Sequence, residues 1–150
     1  GDPRDLHSFP ARRSSDLALQ AVQDAGLRCA LFTNPSFPQG AIECRMGWGD
    51  LADAPFELVT HMGNATRCKP DATYYLEQLQ VMGLEPHEVL MVGNDPKRDF
   101  PSPDCGIQTA FVGQGKPSRA TWRGTMEDFA RDFNAVIEAF YEHQIADALS

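Results

Sequence analysis

The sequence predicts an α/β fold built on a parallel sheet, and three observations carry that expectation. Short apolar runs of strand length recur along the chain: RCALFTN (28–34), FELVTH (56–61), EVLMVG (88–93) and IQTAFV (107–112). Segments with apolar residues at helical spacing separate them, the rhythm of strands alternating with crossover helices. Residues able to do chemistry gather where the apolar runs stop, and parallel sheets place their ligands at the carboxyl ends of strands. A chain of 150 residues is the size of one domain and buries about two-thirds of its unfolded surface.

The elements follow in order. Residues 1–17, GDPRDLHSFPARRSSDL, are polar and lack periodicity, so they should add nothing to a core. Within them HSFPARRSSDL (7–17) resembles the conceptual translation of a sequencing-library adapter, with Ala11 where that translation has Thr. The segment is read as non-native or disordered rather than as a genuine basic arm, which leaves 18–150 as the folded domain. ALQAVQDAG (18–26) has a helical pattern and stops at Gly26, a favoured helix end. The first strand follows at 28–34, a helix carrying Ile42 and Met46 over 38–47, and a second strand at 56–61. Pro70 suits the first turn of a helix running to Met82, with Gly83 as its stop. The strands at 88–93 and 107–112 come next, then a loop from Gly113. A helix over 126–149 has Phe129, Phe133, Val136, Ile137, Phe140 and Tyr141 at helical spacing. Thr125 and Asp128 form a capping box at its start.

Composition narrows the function. A hydrophobic fraction of 42% with 23% charged residues is ordinary for a globular domain. The net charge of −8 and pI of about 4.8 repel phosphate backbones and anionic lipid, so neither nucleic acid nor a membrane is expected as partner. A small anionic substrate remains possible if a local cation or metal receives it. Cys29, Cys44, Cys68 and Cys105 are scattered without a C-x-x-C pair, which argues against zinc and for free thiols in a reducing compartment, the cytoplasm.

Three short stretches carry chemistry. In VLMVGNDPKRDF (89–100) an apolar run ends at Gly93, and Asp95 and Asp99 follow. Carboxylates crowded at a strand exit repel unless a cation joins them, and oxygen ligands beside a phosphate-sized space suit Mg²⁺. Lys97 and Arg98 could equally balance them in a solvated turn. Thr33 closes CALFTN, and Pro35 biases Asn34 towards an extended backbone, offering neutral donors to an oxyanion; Asn-Pro is also an ordinary turn signal. Lys69 stands just before Pro70 and a helix start, where anions are already favoured, although a loop lysine is usually only solvated.

Together, LFTN, CKPD and VGND-x-x-x-D, in that order and at strand exits or before a helix, resemble the haloacid dehalogenase-like hydrolase superfamily, chiefly its phosphatase branch. The likeness runs from about residue 18 to 113, and GTMEDF (124–129) looks like the family's closing helix. It implies a Rossmann-like three-layer core and a small phosphorylated substrate. It also implies Mg²⁺ held by Asp95 directly with Asp99 behind it, hydrogen bonds from Thr33 and Asn34 to phosphoryl oxygens, and charge neutralisation by Lys69. Thr33 and Lys69 would be the catalytic residues present, acting by positioning and electrostatics in transfer through an aspartyl-phosphate.

The chain departs from the family pattern in three ways. Asn94 intervenes between Gly93 and Asp95, where relatives run Gly-Asp. Pro101 and Pro103 fall where a helix often begins, so that helix should be short or late. The third departure is the nucleophile, the first Asp of an Asp-x-Asp motif ending an N-terminal apolar strand. Asp2 and Asp5 stand three apart with no apolar run before them. The expectation is therefore a C-terminal fragment, without the central strand and the cap, that is inactive as written. In the superfamily the lost strand lies between those ending at Thr33 and Gly93, so these two either pair directly or leave the sheet split. The alternatives are a non-catalytic phosphate- or metal-binding domain, and a dehalogenase or phosphonate hydrolase of the same superfamily.

Overall fold

The computed structural model describes residues 13–48, 55–117 and 119–150. Asp2, Asp5 and most of the segment 1–17 lie outside the described residues. The order is α1 (Ser14–Asp24), β1 (Ala30–Leu31), α2 (Gln39–Trp48), β2 (Leu58–Val59), α3 (Ala72–Met82), β3 (Leu90–Gly93), α4 (Pro96–Asp99), β4 (Gln108–Val112), β5 (Trp122–Gly124), α5 (Met126–Arg131) and α6 (Phe133–Leu149). The α/β class holds, with every strand pair parallel.

Among the described residues the sheet is split. β1 pairs with β2, while β3, β4 and β5 form a second sheet in that order. Strand-length apolar runs at 28–34 and 56–61 thus yield ladders of only two residues each, because a ladder extends only where a partner lies opposite. In the second sheet Leu90 to Gly93 stand opposite Gln108 to Phe111, and all five residues of β4 are buried.

Alternation of side chains along these strands builds three layers. Leu90, Val92, Ala110 and Val112 face one core with Ala18 of α1, Phe129 of α5, and Phe133 and Val136 of α6. Val89, Met91 and Ile107 face the other, packed with Tyr74, Tyr75 and Leu79 of α3. The even residues look to one helical layer and the odd ones to the other.

Local signals explain α3. The Asp71 carboxylate caps it by accepting from the Thr73 amide at 2.8 Å. Gly83 ends it at φ 72°, a left-handed conformation that glycine adopts without a Cβ penalty.

Four expectations need correction. α1 opens at Ser14, so Ser14–Leu17 are helical rather than outside the fold. β5 occupies part of the stretch read as loop, because Trp122-Arg123-Gly124 carries no apolar alternation and is specified only by its register against β4. The last helix bends at Asp132, yet the Asp132 and Val136 amides still bond four residues back at 2.8 and 3.1 Å. Tyr141, set on its apolar stripe, is 49% exposed. The prolines act as expected: α4 has four residues, and a 3-10 turn follows at Pro103–Cys105. Among the described residues no helix is long and apolar enough to cross a membrane.

Candidate functional site

The three stretches meet along one continuous path of contacts. The Lys69 amide donates to Asn34 Oδ1 at 3.2 Å. The Lys69 ammonium pairs with Asp99 Oδ1 at 2.6 Å, both side chains being nearly buried at 10% and 13% exposure. Asp99 Oδ2 in turn accepts from the amides of Asn94 and Asp95 at 3.1 and 3.0 Å. Thr33, Asn34, Lys69, Asp95 and Asp99 are thus gathered around the exits of β1 and β3.

Each element supplies its part for a physical reason. Gly93 ends β3 because Asp99 folds back over it: a Cβ there would lie 2.5 Å from Asp99 Cβ and 2.7 Å from its Oδ2. Asp95 caps α4, its Oδ1 accepting from the Lys97 and Arg98 amides at 3.2 and 3.3 Å. Its Oδ2 lies 3.7 Å from the exposed Arg98 guanidinium.

Thr33 is turned towards β2. Its hydroxyl donates to the Thr60 carbonyl at 2.7 Å, and its amide donates to Thr60 Oγ1 at 2.7 Å. The single hydroxyl proton is therefore engaged, and reaching an oxyanion would require the side chain to rotate. Asn34 spends its Oδ1 on Lys69, which leaves its amide group, exposed and without a partner among the described residues, as a donor. Lys69 uses one of its three N–H donors on Asp99. Net, the path offers donors to an anion from Asn34 and Lys69.

Beside Thr33 and Asn34 opens a cavity of about 390 Å³ walled by Leu31, Phe37, Ile42 and Met46.

The donor set can be tested against Mg²⁺, which keeps several waters and takes one or two protein carboxylates. Asp99 is committed on both oxygens, to the Lys69 ammonium and to two amides. Asp95 is half-exposed and retains one oxygen away from its cap. Among the described residues no three acidic, histidine or cysteine side chains cluster as a metal cage. The residues fit a largely hydrated Mg²⁺ bound through Asp95 alone.

Sequence reading missed Thr60, Tyr74 and Tyr75. Thr60 is fully buried, and its hydroxyl lies 3.1 Å from the Thr33 carbonyl and 2.9 Å from the Tyr74 hydroxyl. Tyr74 donates to the Thr33 carbonyl at 2.6 Å, and Tyr75 donates to the Asp99 carbonyl. A faint signal existed, since each of the two apolar runs carries a threonine near its end, LFT and LVT.

A sequence profile described as haloacid dehalogenase-like hydrolase matches residues 5–103, about two-thirds of the chain, and spans all five site residues. The chain belongs to this family. Solved structures share the fold of this haloacid dehalogenase-like hydrolase. A HAD phosphatase from Thermococcus onnurineus superposes with a TM-score of 0.67 at 20% identity, covering 87% of this chain and 61% of the other. A β-phosphoglucomutase from Clostridium difficile gives 0.70 at 13% identity, covering 88% and 57%. An uncharacterized protein from Listeria monocytogenes serotype 4b gives 0.64 at 17% identity, covering 89% and 86%. The chain spans only about 60% of the length of the first two. No curated protein sequence matches it.

Proposed function

We propose that this haloacid dehalogenase-like hydrolase serves phosphoryl transfer from a small phosphate ester, and that the path from Asn34 to Asp95 is its phosphoryl-binding edge. The observation that carries this reading is the Asn34–Lys69–Asp99 chain of contacts. It brings a cation and a neutral donor from separate segments to one place, and Asp99 fixes the ammonium there. The Asn34 amide group and the two remaining Lys69 N–H groups would hold phosphoryl oxygens. Thr33 would join them by giving up its bond to Thr60.

Bound Mg²⁺ would supply charge neutralisation beside the phosphoryl group, with Asp95 holding it. Asp99 would act behind that site, orienting the Asn94 and Asp95 amides and the Lys69 ammonium. Catalysis of this kind is positioning and electrostatic stabilisation. The covalent step needs a carboxylate nucleophile, and the sequence contains no Asp-x-Asp motif. The chain by itself is therefore expected to bind phosphate without turning over phosphate esters. The free thiols of Cys29, Cys44, Cys68 and Cys105 support a reducing, cytoplasmic site of action.

The test is a titration of the chain with inorganic phosphate, followed by ³¹P line broadening and by the Asn34 side-chain amide signal. Saturable binding that Lys69→Ala weakens at least tenfold is expected. Equal binding by wild type and Lys69→Ala would remove the reading. Mg²⁺-dependent ester hydrolysis that vanished in Asp95→Asn would instead reveal a nucleophile outside this set.

A further inference from the structure

Adjacent residues on a helix point about 100° apart, so two neighbouring side chains can reach two different parts of a fold. Tyr74 and Tyr75 do this as the third and fourth residues of α3, and both are fully buried. The Tyr74 hydroxyl donates at 2.6 Å to the carbonyl of Thr33, at the tip of the two-stranded sheet. The Tyr75 hydroxyl donates to the carbonyl of Asp99, beyond the end of the three-stranded sheet. Their rings meet edge to face, with centroids 5.1 Å apart and planes at 88°. Phe32, next to Thr33 in the chain, packs edge-on against Tyr74 at 5.7 Å and at a tilt of 47° against Tyr75 at 6.2 Å.

Burial holds both phenol groups above their ordinary pKa, so each stays a protonated donor across the physiological range. The polar accounting around Tyr74 also closes. Thr33 O accepts from Tyr74, Thr33 Oγ1 donates to Thr60 O, and the Thr33 amide donates to Thr60 Oγ1. The Thr60 hydroxyl proton has Tyr74 Oη at 2.9 Å or Thr33 O at 3.1 Å. Removing the Tyr74 hydroxyl cuts the tie between α3 and the strand tip without opening a sizeable cavity.

We infer that Tyr74 and Tyr75 are positioning residues that set the spacing between Thr33–Asn34 on one sheet and Lys69–Asp99 on the other. Lys69 itself leads into α3, so one helix governs three components of the edge. The inference rests on the phosphate reading above and deepens it: affinity depends on a fixed separation between the Asn34 and Lys69 donors, and the tyrosine pair maintains it.

The test compares phosphate affinity and thermal stability in Tyr74→Phe, Tyr75→Phe, the double variant, Lys69→Ala and Leu79→Val. Leu79 lies on the same buried face of α3 and touches none of the site residues by hydrogen bond. Each Tyr→Phe change should weaken phosphate binding about five- to tenfold, the scale of one lost hydrogen bond. The double variant should lose less than the product of the singles, because releasing one side already frees the separation. Leu79→Val should lower the melting temperature yet leave phosphate affinity unchanged. Affinities that simply follow melting temperature across the set, Leu79→Val included, would overturn the inference and leave the tyrosines as packing residues. So would wild-type affinity in both Tyr→Phe variants while Lys69→Ala loses binding, with the phosphate reading intact. Wild-type protein that binds no phosphate takes down both.

Discussion

The two sheets of this molecule are held by different forces. In the three-stranded sheet β4 is buried along its whole length between helices on both faces, and Trp122, Phe129 and Phe133 stack edge to face in succession. The two-stranded sheet is half-buried throughout. In α2, beside it, Ile42 is buried, while Phe37 and Met62 nearby are 44% and 56% exposed. Besides Phe32 on Tyr74 and Tyr75, its ties are polar. Arg28 pairs with Glu57 and reaches the Met82 carbonyl at 2.8 Å, and Thr33 is bound to Thr60 and Tyr74. Apolar burial is worth about 25 cal/mol per Å², whereas a net hydrogen bond is worth about 1 kcal/mol. The contrast teaches that stability resides mainly in the second sheet, while the site's geometry depends on directional contacts between the two.

The largest effect that could break this comparison comes from the stacked core. Phe129→Ala should cost about 3–5 kcal/mol, the range for truncating a buried aromatic, read by chemical denaturation. Ile42→Ala should sit near the low end for aliphatic truncation, about 2 kcal/mol, because a cavity already adjoins it. Equal costs would erase the asymmetry.

Gly93→Ala should come next. The new methyl would meet Asp99 at 2.5 Å, and relieving such overpacking costs about 1–3 kcal/mol. The change should also displace the Asp99 carboxylate from Lys69, so phosphate binding should fall together with stability. A variant that kept both would show that Asp99 does not need its present place.

The smallest effect concerns the second sheet's edge, where α5 starts. Thr125→Ala removes a cap and should cost about 1 kcal/mol. Asp128 is held below the ordinary carboxylate range, first by the Thr125 amide, then by the Thr125 side chain and Arg131. A depressed folded pKa contributes stability above the unfolded value, near pH 4, and loses it as pH falls through the folded value. Wild type should therefore lose melting temperature as the pH falls below about 4, and Asp128→Asn should flatten that slope. An unchanged slope would remove Asp128 from the acid response.

Legibility followed the same divide. The runs at 88–93 and 107–112 lie within a residue or two of β3 and β4, because continuous burial leaves a continuous apolar signal. Gly83 marked the end of α3 for the same kind of reason, a local backbone constraint written in one residue, whereas Pro70, expected in the first turn, lies just before the Asp71 cap. Membership of the family was legible from LFTN, CKPD and VGND, and the profile match bears it out. What escaped depends on partners distant in the chain. β5 exists through its register with β4, the Lys69–Asp99 pair joins residues 30 apart, and the Tyr74 hydroxyl crosses 41 positions to Thr33. Nor does any pattern in the sequence reveal that the Thr33 hydroxyl proton is already committed to Thr60.

The Lys69–Asp99 pair has one further consequence, for the kinetics of encounter. Because Asp99 already neutralises the ammonium, Lys69 projects little attraction beyond its immediate neighbourhood. An approaching dianion first feels a body of net charge −8. Added salt shortens the screening length from about 30 Å at 0.01 M to about 10 Å at 0.1 M, which weakens that long-range repulsion more than contacts at hydrogen-bond distance. The association rate of a small anion should therefore rise with ionic strength, opposite to the trend for an electrostatically steered site.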